Sequence, residues 1–208
     1  IRLFNIYNRL LYGGLLEHLC KFLYLHQYTV KFESNFEVTK CDLKSEFIDS
    51  LKLPHTVRKY QLDAINHALS NQRTLLVSPT ASGKSLVIYI LVRYLKLKTL
   101  ILVPTISLVT QMFQDFRSYG WDAANNCHTV YAGRDKGSEL PVVISTWQSL
   151  YKMPQKYFEQ YQMVVGDEAH GFKSKSLTSI MTKCINAKYR IGATGTLDGT
   201  LTHKLVLE

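Results

Sequence analysis

The 208-residue sequence predicts an α/β protein built on a mainly parallel sheet covered by helices on both faces, and three observations predict it. The first is an alternation. Short apolar runs of β-favouring residues, Arg73 to Val77, Thr99 to Val103, Val142 to Ser145, Met163 to Gly166 and Tyr189 to Ala193, are separated by stretches of helical length and spacing. Parallel strands need such crossover connections. The second is the run Ser78-Pro79-Thr80-Ala81-Ser82-Gly83-Lys84-Ser85, which joins the first of these strands to a helix. The third is an acidic pair, Asp167-Glu168, delivered at the end of the strand that begins at Met163.

Composition narrows the class. A hydrophobic fraction of 46% suits a packed core, and the length allows one full α/β domain plus a small appendage. The net charge of +9 is uneven: residues 1 to 55 carry 7 basic and 6 acidic side chains, residues 56 to 208 carry 18 and 10. The basic half is the one with the Ser78–Ser85 run, as expected of a chain that meets a polyanion. The 4 cysteines, Cys20, Cys41, Cys127 and Cys184, stand far apart with no C-x-x-C pair, which argues against a zinc knuckle or disulfide framework and fits reduced thiols in a cytosol. No apolar run reaches the roughly 18 residues of a membrane span, and there is no signal peptide, so no membrane partner is expected. The chain opens on Ile1 and reaches Glu208 without a closing pattern, and it reads as an internal part of a longer polypeptide.

Taken in order, Ile1 to Tyr7 alternates like a strand, Gly13-Gly14 breaks it, Leu15 to Gln27 has helical spacing, Tyr28 to Phe32 alternates again, and Leu43 to Leu51 resembles a short helix. This is too little for an independent core, so residues 1–54 are expected to be a partial accessory domain, with Pro54 at the boundary and the main domain over 55–208. Arg2, Arg9, Lys21 and Lys31 could touch DNA there, although scattered charges usually form only a solvated face. The next helix opens on Arg58-Lys59-Tyr60-Gln61 and runs to about Ser70, with Leu62, Ile65 and Leu69 on one face. A glutamine at this place can read adenine by donating and accepting, with Tyr60 packed nearby.

The Ser78–Ser85 run then reads as a phosphate-binding loop. Small residues let successive backbone N–H groups turn inward, the helix N-terminus adds positive potential, Lys84 reaches the β- and γ-phosphates, and the Ser85 hydroxyl ligates Mg²⁺. Ser78 stands where the general pattern has its first glycine. Pro104-Thr105 breaks the second strand before a helix over about Ser107 to Ser118, and strands near Thr129 to Tyr131 and Val142 to Ser145 precede Thr146-Trp147-Gln148, which starts another helix. In an open α/β sheet ligands gather at the carboxyl ends of the strands, so Asp167 is expected beside the phosphate loop, holding the Mg²⁺ shell while Glu168 polarises water. His170 has no metal-ligand spacing with His128 or Cys127 and is read as a polar relay. A helix over Ser174 to Ile185 leads to the last strand, which ends in Thr194-Gly195-Thr196. Those two hydroxyls can bond the acidic motif and pass on its state; a plain strand-to-loop turn is the alternative.

In this order the motifs resemble the first RecA-like domain of superfamily 2 DEAD/DEAH-type helicases and translocases, over residues 56 to 197. Arg58, Tyr60 and Gln61 match the adenine-side Q motif, Ser78 to Ser85 motif I, Val103-Pro104-Thr105 motif Ia, and Ser145 to Gln148 the next nucleic-acid-contacting motif. Asp167 to His170 matches a DEAH-type motif II, and Thr194 to Thr196 is similar to motif III. The resemblance implies a RecA-like P-loop NTPase domain, preceded by a partial small α+β domain, that uses ATP and Mg²⁺. It implies catalytic roles for Lys84, Asp167 and Glu168, and nucleotide contacts from Arg58, Tyr60, Gln61 and the loop residues Pro79, Thr80, Ala81, Ser82, Gly83, Lys84 and Ser85. The cation would lie on Ser85 and, through water, Asp167. DNA contacts fall to Pro104, Thr105, Thr146 and Gln148, with Lys152 and Lys156 nearby, and coupling to His170, Thr194 and Thr196.

The segments Ile1-Arg2-Leu3 through Asn8 to Leu11, Gly83 to Ser85, Val103 to Thr105 and Val142 to Gln148 also resemble T4-type phage recombination and repair DNA helicases. That likeness implies action on branched DNA in the infected host's cytoplasm, and a partner in the same protein: a second RecA-like domain with arginine fingers, not included in these residues. Because an arginine finger contributes roughly 10³ to 10⁵ in rate, these residues alone are expected to bind ATP and hydrolyse it poorly. A duplex-DNA translocase of a restriction or remodelling complex, an RNA helicase, and a nucleotide-sensing nucleic-acid-binding module without turnover remain open as alternatives.

Overall fold

The computed structural model describes residues 4–5, 10–11, 16–31, 42–79, 81–131, 133, 135–168 and 175–195, and the chain divides into two compact units, 1–39 and 40–207. In the smaller unit β1 (Phe4–Asn5) pairs antiparallel with β2 (Leu10–Leu11), and α1 (Leu16–Leu25) comes after them. The strand expected from Tyr28 onward is not formed over residues 28–31. The helix ends with Gln27 at φ +62 and the Tyr28 N–H bonded back to the Leu23 carbonyl at 2.9 Å, and among the described residues no strand pairs with residues 28–31. Alternation alone makes no strand without a partner to receive its hydrogen bonds.

The larger unit begins with α2 (Ser45–Ser50) and α3 (Lys59–Asn71), then β3 (Arg73–Val77), α4 (Lys84–Leu95), β4 (Thr99–Val103), α5 (Ile106–Ser118), α6 (Ala123–Asn126) and β5 (Cys127–Val130). It continues through β6 (Val142–Thr146), α7 (Trp147–Leu150), α8 (Gln155–Phe158), β7 (Met163–Asp167), α9 (Lys175–Lys183) and β8 (Tyr189–Thr194). Six strands pair in the order β3-β8-β7-β4-β6-β5, every pair parallel. The predicted strands fall within two residues of those observed. The crossovers vary more: β6 and β7 are joined by two four-residue helices, and β5 and β6 by a loop.

Two-residue periodicity divides the sheet's side chains between two cores. Along β4, Ile101 and Val103 face a cluster with Ile65 of α3, Ile88 to Leu91 of α4 and Val109, Met112 and Phe116 of α5. Leu100 and Leu102 face the opposite cluster, with Leu150 of α7, Phe158 of α8 and Leu177, Ile180 and Met181 of α9. Both faces being covered explains why these strands read as continuous apolar runs.

Residues 42–53 contribute to the first of these cores. Leu43 and Leu51 are buried in it, the Leu43 N–H donates to Asn66 Oδ1 at 2.8 Å, and the Phe47 ring meets Tyr94 edge-on at 5.0 Å. The packing therefore extends the larger unit upstream of the expected Pro54 boundary, because the short helix has an apolar face to bury and α3 and α4 supply its partner.

Register places the motifs. Val77 lies opposite Thr194, Asp167 opposite Ala193, and Val103 opposite Thr146, so the strand ends that carry them share one edge of the sheet.

Candidate functional site

The loop after β3 is held from three sides. Its first N–H, that of Ser78, continues the β3–β8 ladder by donating to the Thr194 carbonyl at 2.9 Å. Ser78 Oγ donates to Ser82 Oγ at 2.5 Å, so the residue that replaces glycine ties the loop across itself. From α3, Gln61 Nε2 and the Tyr60 hydroxyl both donate to the Ser82 carbonyl, at 2.9 and 2.8 Å. Gln61 Oε1 accepts from the Arg58 N–H at the start of α3, at 2.9 Å, and Arg58 Nη1 donates to the Tyr60 oxygen at 3.1 Å. Gln61 is buried, and its carbonyl and one N–H serve the helix start and the loop.

Backbone conformation shows why the loop needs small residues. Ala81 sits at φ +63 and Gly83 at φ +81, both left-handed. A Cβ at Gly83 would strike the Gln61 amide nitrogen, so glycine is required there by conformation and by space. Gly83 caps α4, whose first residue, Lys84, folds its ammonium back over the loop, donating to the Ser78 and Pro79 carbonyls at 3.3 and 3.5 Å.

Ser85 is next, its Oγ 2.9 Å from the hydroxyl of Tyr119, just past α5. The Asp115 carboxyl, on the same face of α5, turns toward the same hydroxyl; burial raises its pKa and the Ser85 hydroxyl partly offsets this. Tyr119 is also pushed up, first by burial, so it remains a neutral phenol.

Asp167 ends β7, buried, its Oδ1 accepting from the Glu168 N–H at 3.0 Å. Burial raises its pKa most and the Glu168 carboxylate adds to this, while the Glu168 N–H and the Lys84 ammonium pull it down. Glu168 adopts φ +55, a conformation that costs a non-glycine residue energy and clusters at functional sites. Beside the loop lies a cavity of about 640 Å³ lined by Tyr60, Gln61, His67, Ala81, Lys84 and Ala193 among others, within the range of small-ligand sites.

The donor set fits a magnesium nucleotide. Ser85 and Asp167 offer hard oxygens, Lys84 a cation, and the loop's left-handed turns a concave run of backbone. Among the described residues no group of three His, Cys, Asp or Glu side chains is placed to hold a metal ion.

The family described as type III restriction enzyme, res subunit (ResIII), matches residues 54–199. The chain belongs to this family. It is 34% identical to the ATP-dependent DNA helicase uvsW of Enterobacteria phage T4 over 217 residues, covering 95% of this chain and 42% of that protein. It is 30% identical to the DNA 3′-5′ translocase XPB2 of Sulfurisphaera tokodaii over 161 residues, covering 74% of this chain and 35% of the other. A crystal structure of the bacteriophage T4 UvsW helicase superposes with a TM-score of 0.83 at 32% identity, covering all of this chain and 79% of that one. The SWI2/SNF2 ATPase core of Sulfolobus solfataricus, at TM-score 0.61 and 17% identity, shares the fold. The larger unit thus has the RecA-like fold of superfamily 2 helicases, and the chain spans about two-fifths of the T4 relative's length.

In this ResIII domain the expected DNA-contacting residues stand on neighbouring strand ends. Thr105 caps α5, its Oγ1 accepting from the Leu108 N–H at 3.3 Å and lying 2.9 Å from Ser107 Oγ. Thr146 is buried with its Oγ1 2.8 Å from Ser149 Oγ, while Gln148 is exposed. Lys152 and Lys156 are exposed beyond α7, the Lys152 ammonium 5.6 Å from the Tyr151 ring centre. Thr80, His170 and Thr196 lie outside the described residues. Sequence reading missed Tyr119 and Asp115: they lie just past and within a helix whose spacing signals only a core face, and nothing local points across to Ser85. No described helix is long and apolar enough to cross a membrane.

Proposed function

We propose that this chain is the ATP-binding motor domain of an ATP-dependent DNA helicase or translocase, acting on branched DNA in phage recombination and repair. The observation that carries it is the approach of Lys84, the first residue of α4, to Asp167 at the end of β7, near enough to pull the Asp167 pKa down, with Ser85 following Lys84 on the same helix. The T4 relative named as an ATP-dependent DNA helicase supports the choice of reaction and of DNA.

When bound, ATP would supply the phosphoanhydride and Mg²⁺ a counter-charge to it. Lys84 leaves the Ser78 and Pro79 carbonyls to meet phosphate oxygens, an ion-paired contact in place of two long ones to uncharged acceptors. Gln61 and Tyr60 hold the Ser82 carbonyl out of the cradle. Glu168 orients the attacking water and takes its proton, and Asp167 holds the water shell of the cation. Thr194 passes the state of the loop to β8 through its bond from the Ser78 N–H. A second RecA-like domain bringing an arginine finger would add roughly 10³ to 10⁵ in rate to this site.

The test is equilibrium binding of a fluorescent ATP analogue with Mg²⁺. Lys84→Ala should weaken it about ten- to a hundredfold, the value of a hydrogen bond to a charged group. Equal binding by the wild type and this variant would sink the assignment.

A further inference from the structure

A serine hydroxyl that gives a lone pair to a cation must point its single proton away, and an acceptor has to wait there. The neighbouring candidate Asp167 has Oδ1 engaged with the Glu168 N–H, and in the structure Ser85 Oγ is instead 2.9 Å from Tyr119 OH. The Tyr119 ring is fixed by Tyr89, centre to centre 5.2 Å, and Tyr89 packs in turn on Phe116 and Trp121. Ser85 and Tyr89 stand one turn apart on α4, Asp115 and Tyr119 one turn apart along α5, so two helix faces bring these four side chains together. The phenol is therefore held in place before any ligand arrives.

We propose, resting on the ATP–Mg²⁺ reading above, that Tyr119 is a positioning residue: its oxygen accepts the hydrogen bond of the Ser85 hydroxyl, with the Asp115 carboxylate turned to the same Ser85 hydroxyl beside it, and so aims a Ser85 lone pair at the cation. Neither residue touches the nucleotide. Their effect is confined to how much Mg²⁺ strengthens nucleotide binding, because the Lys84 and loop contacts do not pass through them.

The readout is the ratio of fluorescent ATP-analogue affinity in saturating Mg²⁺ to that in EDTA. Tyr119→Phe keeps the ring and removes only the hydroxyl. It should lower the ratio about tenfold, the lower range for an outer-shell partner of a metal ligand, with EDTA binding and melting temperature unchanged. Asp115→Asn should lower it several-fold. In a Ser85→Ala background, where the ligand hydroxyl is already gone, Tyr119→Phe should cause no further loss, which a merely structural effect would still produce. An unchanged ratio in Tyr119→Phe, or an equal further loss in the Ser85→Ala background, overturns the proposal. A wild-type chain that binds no analogue removes the ATP–Mg²⁺ reading and this one with it; wild-type binding that Mg²⁺ strengthens, with no effect of Tyr119→Phe, removes this one alone.

Discussion

The two halves of the sheet edge are built differently. On the β3 and β8 side the phosphate loop and the start of α4 are held by bonds that cross the fold: Gln61 and Tyr60 to Ser82, Ser78 to Thr194, Ser85 to Tyr119. On the β4 and β6 side the expected DNA-contacting hydroxyls bond near neighbours among the described residues, Thr105 to Ser107 and Leu108, Thr146 to Ser149. The first half is pre-shaped for one small, highly charged ligand. The second offers a few exposed groups on neighbouring strand ends, as suits a partner gripped by its repeating backbone. A site that must recognise one geometry is stabilised from a distance; one that must slide over many sequences is left locally supported.

Substitutions can break or sharpen this contrast. The largest effect is expected from Gly83→Ala, which meets both the left-handed backbone and the Gln61 amide. It should destabilise the chain by about 2 kcal/mol in chemical denaturation and abolish nucleotide binding. Gln61→Ala leaves the Ser82 carbonyl and the Arg58 N–H without their amide partner; it should cost about 1–2 kcal/mol and weaken nucleotide binding, whereas Gln148→Ala on the other half should stay within about 0.5 kcal/mol. Thr105→Ala removes an N-cap worth about 0.5–1 kcal/mol and should weaken DNA binding in a filter or anisotropy assay while nucleotide affinity holds.

Asp167→Asn sharpens the contrast from the other side. Burial raises the Asp167 pKa in the folded chain, so the carboxylate costs stability above the ordinary Asp range and the cost disappears as pH falls and both states become protonated. The variant should melt higher than wild type at neutral pH without nucleotide, with the gain fading on acidification, and should lose Mg²⁺-dependent nucleotide binding. A melting temperature below wild type at neutral pH would show that Asp167 is satisfied rather than strained in the free protein.

The same contrast sets what the sequence could reveal. Strands β3, β4, β6, β7 and β8 were legible because both faces are buried and their apolar runs are continuous, and the phosphate loop because its chemistry is contiguous. The Tyr119–Ser85 bond spans 34 positions and the Gln61–Ser82 bond 21, and neither has a periodicity to betray it. Tyr28 to Lys31 misled because alternation of side chains, visible in sequence, does not report whether a partner strand lies alongside. The contribution of residues 42–53 was hidden by Pro54, whose turn punctuates the chain without ending the core.

The most direct measurement is backbone hydrogen exchange of the chain with and without a slowly hydrolysed ATP analogue and Mg²⁺. The account predicts new protection over residues 58–61, 78–87 and 167–168, with the segments 105–108 and 146–150 unchanged until DNA is added. Protection spread equally over both halves of the edge, or absent from the loop, would contradict it.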